Sequence, residues 1–224
     1  MKFKNKKVII FDLDGSLIDS APDLALAVNH MLTSVHHANF DEATIDGWVG
    51  NGALILVKRA LSGSRNINKN LDSDFVKKAL DIFLEFYSKN LCIKTAPYPN
   101  VRSSLKVLKS KGYRLAIVTN KPFDFVEPIL KGLELLEFFE YFIGGDSLAQ
   151  KKPSPLPLLH ICEQLKVSLK ESIMVGDSKN DILAGNACGM DTIALSYGYN
   201  YGENIEIYNP SIIIDDFGEI LALL

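Results

Sequence analysis

Val8-Ile9-Ile10-Phe11-Asp12-Leu13-Asp14-Gly15-Ser16-Leu17 joins a continuous apolar run to two carboxylates spaced one residue apart. Four apolar residues without alternation predict a strand buried on both faces, as in a parallel sheet. The C-terminal end of such a strand delivers Asp12 to the sheet rim, where open α/β folds build their ligand crevices. Gly15 lets the chain turn sharply just beyond it. Two anions this close repel each other, and a fold tolerates them there when a cation or a shared proton offsets the repulsion. The pair therefore predicts a metal. Asp-Gly is also a common turn dipeptide, so the case for chemistry depends on the rest of the chain.

Downstream of this strand, Ser20-Ala21-Pro22-Asp23 reads as a helix start, with Ser20 as cap and Pro in the first turn. Leu24, Ala27, Val28, Met31, Leu32 and Val35 follow at helical spacing. Further helices are predicted over Trp48 to Leu61 and Phe75 to Leu91, and no strand-like alternation appears between Ile18 and Cys92. Past Pro97 and Pro99 the pattern changes to apolar strands, each followed by an amphipathic helix: Leu115-Val118, Tyr141-Ile143, Ile173-Val175, Thr192-Leu195 and Ile212-Ile214. This predicts an α/β fold, a Rossmann-like parallel sheet with an inserted α-helical cap. The expected organisation is a discontinuous core, residues 1–17 and 96–224, around a cap of residues 18–95. The stretches Ile18 to Ser20 and Thr95 to Asn100 are the candidate hinge.

With 224 residues, 47% of them hydrophobic, the chain can bury one sizeable core and an appendage. A formal net charge of -3 with mixed signs offers no footprint for nucleic acid or an anionic membrane. The basic cluster Lys2, Lys4, Lys6 and Lys7 reads as a solvated tail, and no apolar run is long enough for a signal peptide or a membrane span, so a cytoplasmic location is expected. Cys92, Cys162 and Cys188 lack the spacing of a disulfide framework or a zinc site and are expected to be buried thiols. His30, His36, His37 and His160 read as packing or helix-surface residues.

Three later strands run into residues with chemistry. Val118 leads to Thr119-Asn120-Lys121, Val175 leads to Gly176-Asp177-Ser178-Lys179-Asn180-Asp181, and Lys152-Pro153 lies in the loop after Ile143. All should gather at the sheet edge that carries Asp12. Carboxylates, a hydroxyl and amide pair and an ammonium together suit metal-assisted attack on a phosphoryl group.

Asp12-Leu13-Asp14-Gly15-Ser16, Thr119-Asn120, Lys152-Pro153 and Gly176-Asp177-Ser178-Lys179-Asn180-Asp181 resemble, in order, the four motifs of haloacid dehalogenase superfamily phosphatases. Ser16 stands where threonine is usual and keeps the hydroxyl. The segments Trp48-Val49-Gly50-Asn51-Gly52-Ala53 and Tyr197-Gly198-Tyr199-Asn200-Tyr201-Gly202 resemble those of phosphoglycolate phosphatases. The resemblance implies an Mg2+-dependent phosphomonoester hydrolase, with Asp12 as nucleophile forming an aspartyl-phosphate. A carboxylate attacking a phosphate dianion meets a repulsion of ~4 kcal/mol per unit-charge pair at ~4 Å and an effective dielectric of about 20. Mg2+ offsets it, held by Asp12, Asp177 and the backbone carbonyl of Asp14 as the resemblance implies; oxygen-only ligands suit magnesium. The free Asp14 side chain is then general acid and base. Its presence, with Asp177, argues against dehalogenation. Thr119 and Asn120 are assigned to the phosphoryl oxygens, and Lys152 to the remaining charge. Lys151 competes for that role, but the family pattern places the lysine immediately before proline.

Other assignments have two readings. Asp181 either orients Lys152 or a metal-bound water from behind the ligands, or starts the helix that follows. Asn100 stands where glycine is common, which leaves its turn geometry open. In the cap, Gly50 and Asn51 are expected to line the entrance, and Arg59 to reach a second anion on the substrate. The expected substrate is 2-phosphoglycolate, giving glycolate and phosphate. The alternatives are another small phosphometabolite, a β-phosphoglucomutase-like isomerase, or a non-catalytic phosphometabolite-binding protein. The expected partner is a small phosphorylated metabolite, the chain acting as monomer or homodimer.

Overall fold

The computed structural model describes residues 2–224. Its sheet has six parallel strands: β1 (Val8–Phe11), β4 (Arg114–Val118), β5 (Tyr141–Ile143), β6 (Ser172–Gly176), β7 (Asp191–Leu195) and β8 (Ile212–Ile214), ordered β5-β4-β1-β6-β7-β8. β1 is central and every residue in it is buried. Ile9 and Phe11 face one apolar cluster with Leu105, Val126 and Ile220, while Val8 and Ile10 face another with Leu158, Ile161 and Ala184. The layers come from helices α5 (Val101–Ser110), α6 (Phe123–Gly132) and α9 (Ile220–Leu223) on the first side, and α7 (Leu156–Gln164) and α8 (Lys179–Cys188) on the second. Coverage of both faces explains the unbroken apolar runs. Because the chain leaves β1 toward β4 on one side and returns to β6 on the other, a crevice opens at their C-terminal ends.

Between β1 and α5 lie α1 (Ala21–Ser34), α2 (Glu42–Asp46), α3 (Ala53–Ser62) and α4 (Ser73–Lys89). The expected helical insert is present, with differences that have local causes. Trp48 is outside α3, because Gly50 (φ +112°) and Gly52 (φ +85°) adopt backbone that no helix contains, and α3 starts only at Ala53. The short α2, not anticipated, is capped by Asp41, whose side chain accepts from the Thr44 amide. The hinge is not plain coil: β2 (Ile18–Asp19) pairs antiparallel with β3 (Ala96–Pro97), so the two connections form a ribbon.

Ser20 does not cap α1 with its side chain, because its hydroxyl is donated to Asp14 Oδ1 at 2.6 Å. Asp23 is likewise diverted: its buried carboxylate accepts from the Lys94 and Thr95 amides and the Thr95 hydroxyl, tying α1 to the return connection. Asn100 adopts the left-handed conformation (φ +64°) that glycine would supply, and its side-chain amide donates to Asp216. Lys6 is not part of a solvated tail. Its ammonium donates to the Lys170 and Ser172 carbonyls at 2.8 Å and pairs with Asp191. Of the cysteines only Cys162 is buried, with Cys92 and Cys188 partly exposed. His30 stacks on Phe86, a packing role. Among the described residues, no helix is long and apolar enough to cross a membrane.

Candidate active site

The first turn after β1 places Asp12, whose amide donates to the Val175 carbonyl of β6 and so fixes the residue at the strand junction. Its Oδ1 lies 2.9 Å from Lys152 Nζ. The same ammonium is 2.6 Å from Asp181 Oδ1 and donates to the Val118 carbonyl at 2.5 Å. The Lys152 side chain is 1% exposed, so an unpaired charge there would be untenable, and its two hydrogen-bond acceptors with the ion pair to Asp12 are a condition of its burial. Burial alone would lower the Lys152 pKa; Asp12 and Asp181 reverse that and hold the ammonium protonated. Lys151 goes elsewhere, donating to the Asn51 carbonyl at 2.7 Å. Asn120 supports the lysine loop by donating to the Lys152 carbonyl, and Thr119 is buried at the end of β4 beside it.

Asp177, at the end of β6, is 1% exposed. It accepts from the Ser16 hydroxyl and, at 2.6 Å, from the Tyr199 amide. Gly15 is required here: a Cβ on it would lie 2.4 Å from Asp177 Oδ2, and its φ of +86° favours glycine independently. Asp181 makes contacts on both sides. Its Oδ2 accepts from the Ser178 amide and hydroxyl in a capping box at the start of α8, while Oδ1 holds Lys152.

Asp12, Asp177 and Asp181 each bring an oxygen to within 4.8 Å of the others. Burial, then the neighbouring Asp181 and Asp12, push the Asp177 carboxyl well above its ordinary range. Burial pushes Asp12 up to about 6 against the pull of Lys152. If all three carboxylates ionise they exceed the one buried ammonium by two negative charges; burial and this excess together raise the Asp12 and Asp177 pKa values, and the donors are all oxygen. That is the setting of a hard divalent cation, so this cluster can bind a metal.

The Asp14 side chain is not free. It accepts from Ser20 and from Lys121 Nζ, at 3.0 and 3.1 Å to its two oxygens. Lys121, missed in the sequence, is 5% exposed and its ammonium sits 4.8 Å from the Tyr87 ring centre. Burial would lower its pKa, but Asp14 and Tyr87 more than reverse the effect. The one signal in the sequence was its position directly after Asn120.

Asp12, Asp14, Thr119, Asn120 and Lys121 line a cavity closed from the cap side by Leu24, Gly50, Leu56, Phe83 and Tyr87. Its volume is about 40 Å³, space for the centres of about three waters. Of the cap residues assigned from the sequence, Gly50 lies on the wall, and Asn51 and Arg59 do not line it. Arg59 donates to the Trp48 carbonyl and to Asn51 Oδ1, which also accepts from Tyr201, so both side chains are engaged in bracing the turn that carries Gly50.

Residues 9–195 match the family model described as haloacid dehalogenase-like hydrolase. The chain belongs to the haloacid dehalogenase-like hydrolase family. It is 53% identical over its whole length to a phosphoglycolate phosphatase of Colwellia psychrerythraea, covering 99% of that protein. A phosphoglycolate phosphatase of Haemophilus influenzae is 42% identical over 97% of the chain and 98% of its own length. The crystal structure of a predicted phosphoglycolate phosphatase from Haemophilus somnus superposes with a TM-score of 0.91 at 39% identity, covering 98% of each chain. The resemblance drawn from the four motifs and the Rossmann-like α/β expectation are thus borne out, and this haloacid dehalogenase-like hydrolase gathers three of its four motif carboxylates, Asp12, Asp177 and Asp181, in one cluster.

Proposed function

We propose that this hydrolase converts 2-phosphoglycolate and water to glycolate and phosphate, in an Mg2+-dependent reaction through an aspartyl-phosphate on Asp12. The observation that carries the reading is the cavity in which Asp12, paired with Lys152, and Asp14, paired with Lys121, face one space.

Asp12 attacks phosphorus and the ester oxygen departs. Asp14 gives that oxygen a proton, releasing glycolate, and then takes one from the water that attacks the phosphoryl-aspartate, which returns Asp12 and frees phosphate. The Thr119 hydroxyl and Asn120 amide donate to the phosphoryl oxygens, and Lys152 holds Asp12 in place while offsetting charge. Asp12 and Asp177, with the Asp14 carbonyl, would hold Mg2+, and Asp181 would act through Lys152. When bound, the metal supplies positive charge against the phosphoryl oxygens. Residues 18–95 act as the cap and residues 1–17 and 96–224 as the core, with exchange of a small phosphorylated metabolite through their movement. A cytoplasmic setting suits such a substrate.

The test is phosphate release, with and without Mg2+, from 2-phosphoglycolate, hexose phosphates, nucleotides and pyrophosphate, with Asp12→Asn as control. Mg2+-dependent preference for 2-phosphoglycolate supports the reading. Preference for another ester moves the substrate, and no release from any ester overturns the reading.

A further inference from the structure

Three polar atoms of the residues lining the cavity have no hydrogen-bond partner, Asp12 Oδ1, Asn120 Oδ1 and the Tyr87 hydroxyl, and only the last is a donor. Tyr87, on cap helix α4, is 2% exposed and lines the cavity, yet its hydroxyl hydrogen has no acceptor. Buried hydroxyls are almost always satisfied, so an unmet one at a binding cavity points to a ligand atom. Its phenol is pushed up to about 12, chiefly by burial, and therefore remains a donor.

Beside it stands Lys121, the one lysine or arginine lining this cavity among the described residues. Two of its acceptors are the Asp14 oxygens. Asp14 takes two of the three ammonium N–H groups and the third lies toward Tyr87, so an acceptor entering there meets both residues. The rest of the cap-side wall, including Leu24, Leu56 and Phe83, is apolar. A phosphate monoester with phosphorus at Asp12 has one substituent left to place in this space. A bare alkyl group would leave the Tyr87 hydroxyl unmet, whereas a carboxylate accepts from both donors.

We infer that Lys121 Nζ and Tyr87 Oη together recognise a carboxylate on the substituent of the phosphate ester, making Tyr87 a specificity-determining residue supplied by the cap. This rests on the phosphomonoesterase reading above. A core residue and a cap residue share the task, so the anion is fully bound only with the cap against the core. Arg59, engaged with Trp48 and Asn51, is not needed for it.

The experiment compares kcat/KM for 2-phosphoglycolate with kcat/KM for ethyl phosphate, in wild type, Tyr87→Phe and Lys121→Gln. The ratio is expected to fall about tenfold or more in each variant, the scale of one hydrogen bond to a charged group, with the KM for 2-phosphoglycolate rising. Tyr87→Phe is expected to melt at or above the wild-type temperature, since it removes a hydroxyl without a partner. A lowered melting temperature would show that the hydroxyl is already satisfied and would overturn the inference. So would a wild-type preference for 2-phosphoglycolate that survives both substitutions, leaving the functional reading standing. A wild type with no preference for 2-phosphoglycolate over ethyl phosphate overturns the functional reading and the carboxylate site together.

Discussion

The amide of Tyr199 donates to Asp177 Oδ2 at 2.6 Å, so the residue that braces a carboxylate of the acidic cluster also reaches the cap. Its hydroxyl oxygen accepts from the Ser20 and Ala21 amides at 3.0 and 3.1 Å and donates to Asp19. One residue thus links the cluster to the first turn of α1. Tyr199→Phe keeps the amide and removes the hydroxyl that satisfies two amides at the helix start. The expected loss is about 1–3 kcal/mol of stability, read by denaturant unfolding, with Mg2+ affinity little changed. A variant as stable as wild type would show that the hinge does not depend on this hydroxyl.

Asp12→Asn should leave the fold intact and reduce phosphate release to background. Asp14→Asn should slow turnover by about 10²–10⁴-fold, the range of a lost general acid and base, while still binding Mg2+. The two are separated by single-turnover phosphate release alongside calorimetric Mg2+ titration. An Asp14→Asn protein that turns over at the wild-type rate removes Asp14 from acid–base duty.

Metal binding should appear as stabilisation. At 100 times its dissociation constant, Mg2+ adds about 2.7 kcal/mol, a shift of roughly 5–10 °C for a chain of this size. Thermal melts of wild type and Asp177→Asn with and without Mg2+ provide the check, and the variant is expected to lose most of the shift. An equal shift in both would place the ion elsewhere.

Glu203 pairs with Arg65 of the cap and with Lys179 at the start of α8, and accepts from Tyr208. Hydrogen bonds from Tyr208, then Lys179, lower its pKa from 4.5 to about 2. The folded state thus holds its proton less tightly than the unfolded state, so its contribution is complete above about 4.5 and lost as pH falls toward about 2. Glu203→Gln should therefore lower stability at pH 7, and the difference from wild type should close across that window. Urea unfolding at pH 7 and pH 3 tests this; a constant difference would exclude the ion pairs as its origin. The group keeps contact with solvent, so screening is expected to keep the effect small.

The core strands were legible because each apolar run, such as Ile173-Val175, needs cover on two faces. The carboxylates were legible because chemistry restricts which residues end such strands. What was hidden depends on contacts distant in sequence. Ser20 and Asp23 look like helix-start residues, and only the fold brings Asp14 and Thr95 close enough to divert them. Tyr87 lies four residues beyond Phe83 on the same face of α4, so its burial was readable, but the absence of a partner for its hydroxyl was not. Lys121 reads as a surface lysine until Asp14 and the Tyr87 ring are found around it. The Gly50 and Gly52 turn broke the helix predicted through Trp48, since periodicity sees apolar spacing and not positive φ.

The ribbon of Ile18–Asp19 against Ala96–Pro97 brings the two ends of the intervening chain side by side. Everything from Ser20 to Thr95 therefore departs and re-enters at a single doorway, and the spacing at that doorway does not depend on what lies beyond it. A different cassette with adjacent ends could be grafted there without disturbing the register of the parallel strands. The same chemical floor could in this way be roofed for other esters.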